Sequence, residues 1–231
     1  MSSEPVVRDE NSTEEDGEVE EKKNQVVDGK SPAFDIHSVE KHFRESLQHP
    51  DDDVLLIQFI DAYSELNRFI GCLGRIFHFV SKDINEKTTA LTTLNKEDPE
   101  KFNTVGHILR SSGGHHKAKG VFEIICLHRA LEFIMDFMQA VADAENHDNI
   151  SHICRTSYDR TLAKHHNWVI RKAVHVASLT LPTRVDLIVS IHGKYPEQGE
   201  SFVRSTISTV VEQGDTVHRR IYSIMKQHLK E

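Results

Sequence analysis

A strongly apolar stretch in the middle of the chain places the tightest limit on its fold. Residues 121–127 read VFEIICL, and Glu123 is their only polar side chain. Apolar residues continue at helical spacing to about Ala144. A helix that is apolar on all sides has to be covered by other elements. This segment therefore predicts a long central helix, from about Lys119 to Ala144, around which the rest of the chain packs.

The rest of the chain from Phe34 onward also repeats its apolar residues at three and four positions. No segment alternates convincingly with a period of two, so strands are not expected. We predict an all-α fold of about eight helices stacked in layers. Besides the central helix, the expected ranges are 36–47 behind an Asp35 cap, 54–93, 99–111, 149–164, 168–180, 183–193 and 200–229. In the second of these ranges, Gly71 and Gly74 mark either close packing or a bend.

Charge divides the chain near residue 33. Residues 1–33 hold ten acidic and four basic side chains, whereas the remainder holds 26 acidic and 24 basic ones. The first segment has few large apolar residues, so it cannot bury enough surface to fold. We predict a disordered acidic tail at 1–33, which either aids solubility or repels anionic surfaces, and a helical domain at 34–231. The net charge of −8 argues against binding to nucleic acid.

Signals for export or membrane insertion are lacking. The first ten residues are acidic, where a secretory signal would be basic and then apolar. No apolar run approaches the roughly 18 to 20 residues that a spanning helix needs. The three cysteines, Cys72, Cys126 and Cys154, are scattered and odd in number, as in proteins of a reducing compartment. The sequence therefore predicts a cytosolic protein.

Motifs of known catalytic chemistry are also lacking. The chain has no G-x-S-x-G, no glycine-rich phosphate loop, no H-E-x-x-H and no C-x-x-C. Two histidine pairs, at 115–116 and 165–166, invite a metal interpretation, but no histidine or carboxylate follows either pair at i+4. We therefore predict no enzymatic activity, no catalytic residue, no metal site and no cofactor.

Asp83 and Lys87 interrupt an apolar helical stripe. They follow Phe77 and Val80 by steps of three and four, so a face that was apolar becomes charged. One interpretation is an exposed ion pair near the end of a helix, which contributes little to stability. The other is a polar recognition centre at the mouth of an apolar pocket, which is typical of sites for amphiphilic ligands.

Three segments together resemble the glycolipid transfer protein family, and they are most similar to its ceramide-1-phosphate branch. Their order and spacing match over about residues 37–225. The segments are Ser81-Lys82-Asp83 with Lys87, Leu127-His128-Arg129-Ala130-Leu131, and the run from His165 to Ala173 that continues to Thr180-Leu181-Pro182-Thr183-Arg184.

The resemblance implies a two-layer helical sandwich that encloses a hydrophobic pocket for one sphingolipid. It also implies non-vesicular transfer of that lipid between membranes by a monomer that touches membranes only transiently. Residue by residue, Asp83 matches the family's acceptor for the ceramide amide and hydroxyl, and His166 matches the donor to the amide carbonyl. Lys87 matches a head-group lysine. Trp168 matches a membrane-docking aromatic residue, although core packing is an equal alternative for it.

The chain departs from the family at the head-group site. Phe122 and Cys126 stand where the ceramide-1-phosphate branch has arginines, and the glycolipid branch has a tryptophan at the second position. One hypothesis keeps a ceramide-1-phosphate-like ligand, with Lys119 reaching inward from one turn before Phe122; otherwise Lys119 is solvated. In the other, the head group is smaller or uncharged, and Phe122 and Cys126 line the site. Two alternative functions remain: a lipid-sensing or scaffold protein with weak transfer, and a hydrolase using His166.

Overall fold

A computed structural model describes residues 33–229, and the predicted acidic tail lies outside this range apart from its last residue. Within this range the chain is helical, as predicted, with short 3₁₀ turns at Arg75–Phe77 and Leu162–His165. The α-helices are α1 (Ile36–Ser46), α2 (Leu56–Cys72), α3 (His78–Glu97), α4 (Val105–Ser111), α5 (Val121–Asp143), α6 (Ile150–Arg160), α7 (Trp168–Ser178), α8 (Arg184–His192) and α9 (Glu200–His228).

Two of the helix starts predicted from capping residues are confirmed. The Asp35 carboxylate accepts hydrogen bonds from the backbone N–H groups of His37 and Ser38, both at 3.1 Å. At α8, the Thr183 hydroxyl oxygen accepts from the N–H of Asp186 and donates to the Asp186 carboxylate at 2.7 Å. These side chains satisfy N–H groups that a helix leaves unpaired in its first turn, so they fix where each helix begins.

The helical segment expected over residues 54–93 forms two helices, and of the two interpretations of its glycines the bend is confirmed, because the chain breaks between α2 and α3. Gly74 has a φ of 109°, which side-chain-bearing residues rarely adopt. A Cβ placed there would have no atom within 4 Å, so the glycine is needed for its backbone conformation and not for close packing. Asp83 and Lys87 therefore lie on a separate helix, whose direction is independent of α2.

The expected helix start at Pro99 is wrong. Helix α4 begins at Val105, and the Thr104 side chain caps it by accepting from the N–H of His107 at 3.0 Å. The Thr104 hydroxyl donates to the buried carboxylate of Asp53 at 2.8 Å. Residues 99–103 form turns and a bend, and Thr104 itself forms an isolated bridge to Leu55. The tertiary contact with Asp53 outweighs the local preference of proline for a first helical turn.

The helices form two layers. Helix α2 packs between α1 and α3, and α5 packs between α6 and α9. The α1–α9 and α3–α5 contacts join these groups, so α5 is central as its apolar sequence predicts. The Tyr63 hydroxyl of α2 donates to the backbone carbonyl of Leu127 in α5, which ties the two groups together in the interior.

Apolar side chains fill the space between the layers. Phe43, Phe59 and Phe137 are among the largest side chains that are fully buried there. Close approach of α9 to α5 depends on Gly214, since a Cβ at this position would lie 2.3 Å from the sulfur of Met135. The polar residues of interest lie at the edge of this apolar interior, where α3, α5 and the segment before α7 meet.

Candidate functional site

Helix α3 places Asp83 and Lys87 one turn apart at the edge of the interior. The Lys87 ammonium lies 2.5 Å from the Asp83 carboxylate. The Lys87 side chain is only 12% exposed, whereas that of Asp83 is 60% exposed. Both residues stand one position before the buried stripe that contains Ile84 and Thr88. The pair is therefore partly covered by the fold and differs from a solvated surface ion pair.

Helix α5 presents a half-buried face to this pair. Phe122, Cys126 and Arg129 follow one another at steps of four and three, so they share that face. The Lys87 ammonium lies 5.8 Å from the centroid of the Phe122 ring. Burial raises the pKa of the Cys126 thiol, the charge of Lys87 lowers it and that of Asp83 raises it. The α3 pair and the α5 face thus form one region.

His166 joins this region from the segment between α6 and α7. Its Nδ1 lies 2.8 Å from the hydroxyl of Tyr158 on α6. Burial lowers the pKa of the His166 imidazole, and the negative charge of Asp83 opposes part of that effect. The carboxylate of Asp83 and the imidazole of His166 are therefore within electrostatic reach of each other, although 83 positions separate the two residues in the sequence.

Two residues of the region have no role in the sequence-based prediction. Burial raises the pKa of Tyr158 to about 12, so its hydroxyl stays protonated and can donate to His166. Arg129 lowers the pKa of both His166 and Cys126 and forms no ion pair within residues 33–229. Its spacing of three from Cys126 is the signal that could have placed it here. Nothing in the sequence connects Tyr158 with His166.

Lys119 lies at the outer edge of the region, where it lines an open cleft together with Phe122, and it does not reach inward as hypothesised. Its ammonium pairs with the Glu97 carboxylate at the end of α3, at 2.5 Å, and the side chain is exposed. Helix α5 begins after Lys119, at Val121, so the backbone turns away before a helical face can carry this side chain toward Cys126. Any compensation for the missing arginines comes from residues other than Lys119.

Trp168 is not a core residue. It begins α7 and is 71% exposed, and its neighbours Val169 and Ile170 are exposed as well. Of the two interpretations that the sequence left open, core packing is excluded. The N-terminal end of α7 instead presents a group of apolar side chains to the solvent, next to His166.

Residues 33–229 contain neither a cluster of metal ligands nor a helix that could span a membrane. No three histidine, cysteine, aspartate or glutamate side chains in this range come together as metal ligands would. None of the helices in this range combines the length and apolar composition that crossing a bilayer requires.

Comparisons with known proteins find ceramide-1-phosphate transfer proteins that are similar to most of this chain. Human ceramide-1-phosphate transfer protein is 28% identical over 212 residues, which cover 87% of this chain and 95% of the human protein. The Danio rerio ceramide-1-phosphate transfer protein is 31% identical over 163 residues, covering 66% of this chain and 77% of that protein.

A solved structure of a ceramide-1-phosphate transfer protein is also similar to this chain. Human ceramide-1-phosphate transfer protein in complex with 12:0 ceramide-1-phosphate superposes with a TM-score of 0.74 at 27% identity, covering 84% of this chain and 97% of that one. The model of the Glycolipid transfer protein (GLTP) family matches residues 54–193. The chain therefore belongs to the glycolipid transfer protein family.

Proposed function

We propose that this protein binds one ceramide-based sphingolipid, of the ceramide-1-phosphate type, and carries it between membranes without vesicles. The observation that supports the proposal is that Asp83 lies close enough to the half-buried His166 for its charge to raise the His166 pKa, at the edge of an apolar interior. Relatives that match most of the chain are named ceramide-1-phosphate transfer proteins. The protein would act as a cytosolic monomer, without catalysis or a cofactor.

The ceramide amide explains why one acceptor and one donor are needed. An amide N–H or C=O left unpaired on burial costs about 1–3 kcal/mol. The Asp83 carboxylate would accept from the amide N–H. With the Tyr158 hydroxyl donating to Nδ1 of His166, the imidazole carries its proton on Nε2 and would donate it to the amide carbonyl. The two residues would then satisfy both halves of the linkage.

The head group would lie beside Lys87 and Arg129. Lys87 is paired with Asp83, so its charge is partly neutralised, whereas Arg129 has no ion-pair partner in the described chain. Cys126, between them on the α5 face, supplies no charge because burial raises its pKa. A phosphate would therefore meet fewer cations here than in relatives with arginines at the positions of Phe122 and Cys126.

The lipid chains would enter between the helical layers. This space is filled by apolar side chains, which would have to move apart as the chains enter. Each methylene taken from water into an apolar interior contributes about 0.8 kcal/mol, so a long chain can offset that rearrangement. Trp168 and its exposed apolar neighbours would touch the membrane while the lipid passes.

Transfer between vesicles tests the proposal. We expect the full chain to move fluorescent ceramide-1-phosphate from donor to acceptor vesicles, and Asp83→Ala and His166→Ala each to slow transfer by about tenfold, because each leaves one amide group unpaired. Asp61→Ala, at an exposed carboxylate on α2, is the matched control and should transfer at the original rate. If no ceramide-based lipid moves while human ceramide-1-phosphate transfer protein succeeds in the same vesicles, the proposal is wrong.

A second candidate function is lipid sensing or scaffolding with little transfer. The neutral residues Phe122 and Cys126 favour it, since a weakly held head group need not support efficient exchange with membranes. It predicts that a lipid bound to the purified protein stays bound when excess acceptor vesicles are added. Release within the time of the transfer assay would exclude this candidate.

A further inference from the structure

We propose that the preferred head group is a phosphodiester that carries a cationic amine, with its phosphate beside Lys87 and Arg129 and its ammonium over Phe122 and next to Glu123. The inference rests on the proposed function, because it concerns the head group of the lipid bound there. It assigns a role to Phe122, which stands where the resemblance implies a phosphate-binding arginine. It also assigns a role to Glu123, the next residue in the sequence.

The supply of cations favours a phosphodiester over a phosphomonoester. Lys87 is bound to Asp83 and Lys119 is bound to Glu97, each at 2.5 Å. Of Lys87 and Arg129, the two cations whose charges lower the pKa of Cys126, Arg129 forms no ion pair within residues 33–229. A phosphomonoester carries a charge of about −1.5 to −2 at pH 7, whereas a phosphodiester carries a single negative charge. The smaller charge matches the cations present.

The Phe122 ring offers a surface for the other end of such a head group. It is 57% exposed, and the Lys87 ammonium lies 5.8 Å from its centroid. A phosphate that contacts Lys87 is therefore close to the ring, and an ammonium two carbons beyond that phosphate would reach it. Ammonium groups are attracted to the faces of aromatic rings at distances up to about 6 Å.

Glu123 gives this end of the region a charge that needs a partner. It is half-buried, and within the described chain it forms no ion pair or hydrogen bond. Its charge raises the pKa of Cys126, which places it at the same end of the α5 face. Glu123 and Phe122 border an open cleft of about 340 Å³ between α3 and the start of α5.

The same cleft also contains lysines. Lys117 and Lys119 line it together with Glu123, so it holds charges of both signs. A purely anionic extension would be repelled by Glu123, and a purely cationic one by Lys117, since the charge of Lys119 is paired with Glu97. A head group with one phosphate and one ammonium satisfies both, and the cleft gives it room that ceramide-1-phosphate would leave unused.

The test compares initial transfer rates of four lipids by the full chain. Phosphatidylcholine donor vesicles contain mass-tagged ceramide-1-phosphate, ceramide phosphoethanolamine, sphingomyelin or ceramide, each in a separate experiment. We expect at least one of the two phosphodiesters to move about tenfold faster than ceramide-1-phosphate, and ceramide to be slow. The faster phosphodiester shows whether the cleft prefers a primary or a quaternary ammonium.

Variants assign the effect to the two residues. Glu123→Gln and Phe122→Leu should each lower the ratio of phosphodiester to ceramide-1-phosphate transfer by about tenfold. Phe122→Arg should shift that ratio further toward ceramide-1-phosphate. Glu145→Gln, at an exposed carboxylate after α5, is the matched control and should leave the ratio unchanged. Circular dichroism shows that each variant is folded, which is expected because neither Phe122 nor Glu123 is buried.

Two outcomes overturn different statements. If ceramide-1-phosphate moves faster than both phosphodiesters, or if neither variant changes the ratio, the head-group inference is wrong while sphingolipid transfer stands. If none of the four lipids moves, the proposed function itself is wrong.

Discussion

The Tyr158 hydroxyl lies 2.8 Å from Nδ1 of His166, and this contact determines what the imidazole can do. Burial lowers the pKa of His166 and raises that of Tyr158 to about 12, so both groups are neutral near pH 7; we propose that the phenol donates to Nδ1. The proton of His166 then lies on Nε2. Tyr158 is thus a positioning residue, which fixes the tautomer of the group that would contact the ceramide carbonyl.

Tyr158→Phe tests this role. We expect transfer of ceramide-1-phosphate to fall about fivefold to tenfold, because the loss of one hydrogen bond releases His166 from its orientation. The ¹⁵N shifts of the His166 ring should change from a single Nε2–H tautomer to a mixture. Loss of transfer with an unchanged tautomer would contradict a positioning role and indicate a packing effect.

Cys126→Arg tests the assignment of the head-group position. The new guanidinium would lie between Lys87 and Arg129, where a phosphate is expected. A cation about 4 Å from a phosphate is worth on the order of 4 kcal/mol at an effective dielectric constant near 20, before desolvation is subtracted. We expect at least tenfold tighter binding of ceramide-1-phosphate in an equilibrium assay. Unchanged binding would place the phosphate elsewhere.

Trp168→Ala tests membrane contact. Burying roughly 60 Å² of the indole in the interface contributes about 1.5 kcal/mol, so the variant should bind vesicles about tenfold more weakly. Because Trp168 is exposed, its removal should leave the free energy of unfolding unchanged within about 0.5 kcal/mol. Co-sedimentation with vesicles measures the first quantity and denaturant unfolding the second. Unaltered vesicle binding would exclude this residue from docking.

His128 makes stability depend on pH. Its ring stacks on His218 with centroids 4.0 Å apart, and neither ring nitrogen of His128 has a hydrogen-bond partner in the described chain. Burial lowers its pKa from 6.5 to about 3. Between these values the unfolded chain binds a proton that the folded chain does not, so stability falls as the pH falls.

Lowering the pH from 7 to 5 should therefore cost about 2 kcal/mol through His128 alone. His128→Phe keeps the stacking but removes the titrating group, so its stability should fall less over the same range by about that amount. Denaturant unfolding at the two pH values measures the difference. Parallel losses in the original chain and the variant would show that His128 is protonated in the folded state.

Local features of the sequence predicted much of the fold. The apolar run at 121–127 predicted the central α5, and Asp35 and Thr183 predicted the starts of α1 and α8, because these signals act within one or two helical turns. Gly71 and Gly74 indicated either a bend or close packing, and the sequence did not distinguish the two, since the apolar spacing of α2 continues in register across them. Such a break depends on a single backbone angle, which periodicity does not reveal.

The candidate site could be predicted only in part. The resemblance named Asp83 and His166, and the fold places them near each other. The Tyr158 contact and the partnerless Arg129 depend on how α5 and α6 pack, so sequence spacing could not supply them. Lys119 shows the opposite case: helical spacing suggested an inward direction, but α5 begins after it and Glu97 binds its ammonium.

Native mass spectrometry of the protein after incubation with lipid vesicles tests the central claim most directly. The vesicles contain phosphatidylcholine, phosphatidic acid and small equal amounts of ceramide-1-phosphate and ceramide phosphoethanolamine. We predict one ceramide-based lipid per chain, and loss of most of that bound species in Asp83→Leu. A chain that takes up no lipid, or that takes up phosphatidic acid in preference to both sphingolipids, would contradict recognition of the ceramide linkage by Asp83 and His166.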